Sequence, residues 1–585
     1  MSTSNSTPSS SRSTPTPLRG NPPNGNWVIQ KYGGTSVGKF LHTIADEIVP
    51  KYLDDNHRVA LVCSARSGST KATGTTNLLL RAALEALRPK APDMASSFSS
   101  FRNSPLATPA PGTPSTRPGL QNSISSLRLL DRLNEQEKNP FDETVDQIKK
   151  DHLEAARKVI KTEEVLREVE DELEYDCERL RGFLKAAQII DEISTRSKDI
   201  IMGVGERLSC RIVAAALRDR GIDSELVSLE SVIDWEVVSA DDSKGGDGAP
   251  QLGQEFYSKL SQRLGERLLE CGDRVPVVTG FFGVVPGSLL AQVGRGYSDL
   301  CAALCAVGTS ASELQVWKEV DGIFTADPRK VPTARLLPTI TPEEAAELTY
   351  YGSEVIHPFT MEQVIRNSIP IRIKNVENPR GEGTIIFPDH VTSAASRPPS
   401  PPRNAQVATA PSAAPSLPQD VQVPEHHLGP TAITIKDTVL VLSIRSNRKT
   451  ISHGFFARIF GTLDKHGIVV DLISTSEVHV SMAIYGEVRK GVLDRVVRDL
   501  KVVGEVSISK DMAILSLVGK HMKNMVGVAG KMFSTLAEGN INIEMISQGA
   551  SEINISCVIE EKDAVKALNL VHLRLLHLAQ QPSFS

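Results

Sequence analysis

The sequence predicts an α/β protein: a mainly parallel sheet sandwiched by helices, followed by two small βαββαβ units. Three observations predict it. Apolar runs of strand length alternate with amphipathic helical stretches over most of the chain. Polar clusters follow those runs, as they do at the carboxyl edge of an open parallel sheet. Beyond a Pro/Ala/Ser-rich stretch the sequence repeats itself: Phe460, Thr462, Leu463 and Ile468 recur as Phe533, Thr535, Leu536 and Ile541. Ile473–Ser474 likewise recurs as Ile546–Ser547, and Ser476–Glu477 as Ser551–Glu552.

The chain of 585 residues is longer than one compact core usually holds, so several domains are expected. A net charge of −5 gives no reason to expect nucleic-acid binding. No apolar run approaches the ~20 residues of a membrane helix. Seven scattered cysteines without a CxxC pair suit a reducing compartment. The Ser/Thr/Pro-rich start, with only Arg12 and Arg19 as cations, reads as a disordered tail over 1–25 rather than a transit peptide. A cytoplasmic protein is expected.

The first strand is WVIQKY, beginning at Trp27. Lys31 stands near its end, and Gly33 and Gly34 follow at once. Glycine lets the backbone approach a ligand, and Thr35 and Ser36 are candidates to cap a following helix. A lysine beside such a turn suits a phosphate, although this is no Walker sequence. Val59–Cys63 reads as a second strand leaving through Ser64–Gly68, with Thr75–Asn77 opening a helix. A Ser/Pro/Thr-rich insertion spans about 89–126. Leu166, Val169, Leu173, Cys177, Leu180 and Leu184 then form a helical stripe, with Cys177 in its core.

In IIMGVGERLSC, an apolar run passes through Gly203 and Gly205 and places Glu206 in the first turn of an expected helix. The carboxylate there either complements the helix dipole or grips a cation. Ser224–Leu229 and Val275–Thr279 are further strands. The second leaves through Gly280 and Phe281 towards GRGYSD, where Arg295 can clamp a carboxylate and Ser298 or Asp299 can cap the next helix. Cys301 and Cys305, one turn apart, read as core. Glu313–Trp317 precedes KEVDGIFTADPRKV, whose Lys318, Arg329 and Lys330 offer cations and whose Phe324 offers a flat face. His357, before Pro358, reads as structural. The domain spans 26–390 and a linker 391–428. The two repeat units occupy 429–504 and 505–585. A period of about 75 residues is too long for a solenoid, and such units need an edge partner, so pairing between copies or chains is expected.

Together these residues resemble the aspartokinase family. KYGGTS, GERLS, GRGYSD and VDGIFTADPR are similar to its four catalytic blocks, in order, and the repeats resemble its tandem ACT domains. The resemblance covers nearly everything from Trp27 onward except the low-complexity segments. The insertions and YYGSEVIHPF look most like the fungal branch. It implies an amino-acid-kinase-type fold and ATP-dependent phosphorylation of the L-aspartate side chain to 4-phospho-L-aspartate. An aspartate carboxylate, with pKa ≈ 3.9, is already anionic, so no general base is needed. Catalysis then rests on positioning and charge neutralisation.

The resemblance implies catalytic roles for Lys31 and Asp299, and an aspartate pocket of Ser64, Thr76, Glu206, Phe281, Arg295 and Ser298. Lys31, Gly33, Gly34, Lys318, Glu319, Phe324 and Arg329 would meet the nucleotide, with Mg²⁺ bridging its phosphates. Glu354 stands where many bacterial members carry lysine, so its side chain is not expected to hold phosphate. Ser452, Gly454, Phe455, Asp471, Thr475 and Ser476, with Gln548, Ile553 and Asn554, would form effector rims. Feedback inhibition by threonine, or otherwise lysine, and a homo-oligomer through the ACT domains are implied. The rival readings are a kinase for glutamate or acetylglutamate and a non-catalytic amino-acid sensor.

Overall fold

The computed structural model describes residues 18–68, 73–87, 139–233, 252–285, 288, 296–350, 356–387, 429–446, 454–486, 488–549 and 553–577. The predicted insertion and linker, and most of the N-terminal tail, lie outside the described residues.

Among the described residues, eight strands form the first sheet: β1 (Asn26–Tyr32), β2 (His57–Cys63), β3 (Ser224–Val227), β4 (Val275–Thr279), β5 (Glu313–Lys318), β6 (Thr339–Ile340), β7 (Ile371–Asn375) and β8 (Thr384–Ile386). Their order is β3-β4-β2-β1-β5-β7-β8-β6. The pairs are parallel except β7 with β8. Strand alternation divides the core in two. Val59, Leu61 and Cys63 of β2 face helices Thr75–Ala86, Asp142–Val159, Glu163–Ile190 and Thr195–Asp219. Ala60 and Val62 face helices Gln254–Leu269, Tyr297–Gly308 and Pro358–Ile365 on the other side. Both faces are covered, which is why these strands read as continuous apolar runs. Cys177, Cys301 and Cys305 are fully buried in these layers.

Some local expectations are corrected. The predicted strand Ser224–Leu229 ends at Val227, and the Leu229 amide instead donates to Thr279 Oγ1 at 3.2 Å. Helix Gly34–Lys39 is capped by the Gly33 position, not by Thr35 or Ser36. Ser298 and Asp299 lie in the first turn of helix Tyr297–Gly308 rather than at its cap, which is Gly296. His357 does cap helix Pro358–Ile365, its ring accepting from the Phe359 amide.

The second sheet contains β9 (Ala432–Ser446), β10 (Leu472–Thr475), β11 (His479–Tyr485), β12 (Gly504–Val518), β13 (Met545–Ser547) and β14 (Asn554–Glu560). Its order is β10-β11-β9-β12-β14-β13. The two repeat copies therefore pair within one chain, through β9 and β12. The consecutive reading of the copies is refined by an exchange of strand halves. Ala432–Lys436 pairs with the end of β12, and its Ile433 and Ile435 enter the core of the second copy. Gly504–Ser509 pairs with the second half of β9, in the first copy. The long strands change register near Met512, and Thr438 and Asp511 adopt positive φ (62° and 56°) where each strand passes between the copies.

Candidate active site

β1, β2, β4 and β5 run parallel, so their carboxyl ends share one edge. At that edge, Lys31 near the end of β1 meets Asp299 from the Tyr297–Gly308 helix, Nζ to Oδ1, at 2.7 Å. The two side chains are only 11% and 17% exposed, so water screens the pair far less than a surface one. Ser64, just past β2, and Ser298 share a hydrogen bond between hydroxyls at 2.8 Å. The loop after β2 is held close: the Ser67 amide donates to the Gly34 carbonyl at 2.9 Å. A Cβ on Gly34 would stand 2.3 Å from the Ala65 carbonyl oxygen, whereas Gly33 has nothing within 4 Å and leaves the turn open.

Glu206 joins this cluster from an unexpected position. It lies within the long helix Thr195–Asp219, not in a first helical turn. The dipole explanation for it therefore falls away, and the segment Gly203–Ser209 does not follow a strand. The two glycines suggested a turn because each costs about 1 kcal/mol inside a helix. Here packing requires them. A Cβ at 203 would be 2.5 Å from the Phe281 ring, and one at 205 would be 2.9 Å from Leu79 and 3.0 Å from Thr75.

The Glu206 side chain is buried and accepts from the Phe281 amide, the Gly280 amide and the Tyr297 hydroxyl. Burial pushes its carboxyl up to about 8, against the pull of those donors and of the Lys31 cation. Burial, with Glu206 beside it, also raises the Tyr297 hydroxyl, which stays a donor. Phe281 is itself buried. Lys31, Asp299, Glu206, Ser64, Ser298 and Phe281 thus meet at one place, with Thr76 half-buried in the helix behind the β2 loop. Arg295 lies outside the described residues. Tyr297, which donates to Glu206, is not among the residues the sequence singles out. The signal was an aromatic with a polar tip inside an otherwise polar block.

The β5 end supplies the other half. Ser36 donates to Glu319 Oε1 at 2.9 Å, which ties this loop to the glycine turn. Lys318 and Phe324 are half-buried. Arg329 projects outward, 88% exposed, and lies along Asp327 with two contacts of 3.0 Å.

The effector candidates divide. Gly454 takes φ +81° at the cap of helix Phe455–Lys465, Phe455 is buried, and Thr475 ends β10 with Ser476 just beyond it, both in the open. Asp471 is already engaged. Its carboxylate meets Lys436, which lies over the rings of Tyr485 at 4.3 Å and Tyr350 at 5.0 Å, and it also accepts from the Tyr485 amide. Asn554 donates to Glu347 of the first domain, while Gln548 is exposed and the Ile553 carbonyl accepts from Gly519. Ser452 and Glu354 lie outside the described residues.

Fold and site define an amino acid kinase: residues 26–375 match the amino acid kinase family, and residues 515–575 match an ACT domain. The chain is 50% identical to the aspartokinase of Schizosaccharomyces pombe over 95% of its length and 94% of the relative's. It is 47% identical to the aspartokinase of Saccharomyces cerevisiae, over 94% and 93%. By these likenesses the chain belongs to the aspartokinase family and is an aspartate kinase, with ATP as co-substrate. Solved structures share the fold. Escherichia coli aspartokinase III in complex with aspartate and ADP gives a TM-score of 0.60 at 24% identity, covering 94% of this chain and 99% of that one. The Clostridium acetobutylicum aspartate kinase gives 0.63 at 21%, covering 94% and 100%. Among the described residues, no helix is long and apolar enough to cross a membrane.

Proposed function

We propose that this aspartate kinase works by neutralising charge between two anions rather than by proton transfer. The observation that carries the reading is the shielded Lys31–Asp299 pair beside the buried Glu206. Lys31 takes the transferring phosphoryl group, and Asp299 holds the Lys31 ammonium in line. Glu206, presented by Tyr297 and two amides, meets the substrate ammonium. Ser64, Ser298, Thr76 and Phe281 line the aspartate pocket, and Arg295 clamps a substrate carboxylate. Lys318, Glu319, Phe324 and Arg329 meet the nucleotide.

Mg²⁺ would be held chiefly by the nucleotide phosphates. Among the described residues no group of three metal-ligating side chains stands together, and Asp299 already faces Lys31. That donor set fits an ion that keeps its waters and phosphate ligands. Its charge would lower repulsion between the two substrates.

The product, an acyl phosphate, opens the threonine and methionine branch of amino-acid synthesis, and the ACT pair carries feedback inhibition, with threonine as the first candidate and lysine as the second. A typical coupling of ~1–3 kcal/mol is expected. A homo-oligomer through the ACT units and a cytoplasmic location complete the reading. ADP release should depend on L-aspartate and not on glutamate or acetylglutamate. Threonine, added at fixed substrate, should inhibit it. Turnover with glutamate alone overturns the substrate assignment, and insensitivity to both amino acids removes the feedback assignment.

A further inference from the structure

The loop that follows β5 is built into the second regulatory copy along its back. The Thr325 carbonyl accepts from the Ile433 amide at 2.8 Å. Ala326 and Val331 share one apolar cluster with Met532, Leu568 and Val571. Asn569 donates to the Lys330 carbonyl at 3.0 Å, and Arg335 reaches the Leu576 carbonyl at 3.1 Å.

His572 stands at the centre of this contact and is wholly buried. Its Nε2 lies 2.9 Å from Thr325 Oγ1, and its Nδ1 lies 3.3 Å from Thr333 Oγ1. Thr325 Oγ1 also accepts the Arg335 amide at 3.0 Å, and the Thr325 amide donates to the Arg335 carbonyl at 2.9 Å. A neutral imidazole offers one donor and one acceptor, and a hydroxyl can answer either. One ring from the regulatory copy therefore holds both arms of a catalytic-domain loop, with Phe324 and Arg329 carried on it. A histidine that only filled the core of its own unit would have no reason to aim both nitrogens across the boundary.

We infer that His572 is a positioning residue for the nucleotide: by tying Thr325 to Thr333 it fixes the loop that presents Phe324 and Arg329. The second ACT copy thereby sets the affinity for ATP without touching it. The inference rests on the reading that the β5 loop holds the nucleotide. Buried polar clusters of this kind act together, so loss of one member is felt by all.

Steady-state kinetics on the full chain tests it. His572→Ala and Thr325→Val should each raise KM for ATP by up to about tenfold, the worth of one lost buried hydrogen bond. KM for aspartate should stay unchanged. His572→Gln, which keeps an amide donor and acceptor, should recover part of the loss. His466→Ala, in the first copy, removes a ring bonded to Asp499 at 3.0 Å. It should lower thermal stability without moving KM for ATP. If Thr325→Val, or a folded His572→Ala, leaves KM for ATP unchanged, or if both Michaelis constants rise together, the positioning role is wrong. Lys318→Ala separates the two levels. A rise in KM for ATP there, with none in the His572 variants, sinks only this inference. No change in any of them sinks the nucleotide assignment as well.

Discussion

The two halves of the active site are built differently. The proposed aspartate half is a shielded cluster: Lys31 and Asp299 are paired at 2.7 Å, and Glu206 is buried in a helix where a Cβ at 203 would press on the Phe281 ring. The nucleotide half is a loop whose cation Arg329 is mostly in water and whose back leans on another domain. On the proposed reading the chemistry would be fixed within the kinase core, where preorganisation matters most. Nucleotide affinity would then be left on an element that packs against the second ACT copy. The seam shows the same division, since Lys436 joins Asp471 of the first ACT copy to Tyr350, at the end of a catalytic-domain helix.

If the aspartate half is the catalytic one, the largest effect belongs to Lys31. Lys31→Ala should lower kcat by ~10²–10³ with the fold intact, as for removal of a preorganised transition-state partner. Near-normal turnover would break the comparison outright. Glu206→Gln comes next. It keeps the shape but gives up the charge that meets an ammonium, and a charged hydrogen bond is worth roughly 1.5–3 kcal/mol. The expected loss in kcat/KM for aspartate is therefore ~10–100-fold, with KM for ATP unmoved.

Glu206 also gives a pH signature. Its folded value of about 8 stands above the ordinary 4.5. Since kcat/KM reports the free enzyme, it should rise with pH through about 8, as the carboxylate forms. Stability should move the other way. Between 4.5 and about 8 the unfolded chain holds fewer protons at this group than the folded one. This contribution is complete below 4.5 and is lost as pH rises towards 8. Thermal melts of the ligand-free protein should lose this component in Glu206→Gln. An identical pH profile in both proteins would show that the burial of this carboxyl has been misread.

The sheet edge that gathers the candidate site was largely legible in the sequence because strand ends declare themselves. β1, β2, β4 and β5 are apolar runs that stop at Lys, Ser, Gly and Lys, and parallel pairing gathers those stops on one edge. Glu206 was placed on the wrong part of its helix because glycine propensity is local, while the reason for Gly203 is a phenylalanine far along the chain. Tyr297 is set by what it bonds. His572, the Lys436–Asp471 pair and the exchanged halves of β9 and β12 left no local pattern at all. Each is a choice of partner between distant segments, and the periodicity of either segment alone is indifferent to it.

The smallest effect should come from Arg329, and it is the sharpest test of the contrast. In the free protein its guanidinium already lies along Asp327, at 3.0 Å on two nitrogens, and is 88% exposed. To hold a phosphate it must leave that partner, and exposed ion pairs are worth only about 0–1 kcal/mol. Arg329→Ala should therefore raise KM for ATP only ~2–5-fold and leave kcat nearly unchanged. Asp327→Asn frees the same guanidinium and should lower KM for ATP slightly, with a steeper dependence on ionic strength. A collapse of kcat in Arg329→Ala would mean that this loop closes over the nucleotide and takes part in the transition state, and the nucleotide half would then be as catalytic as the aspartate half.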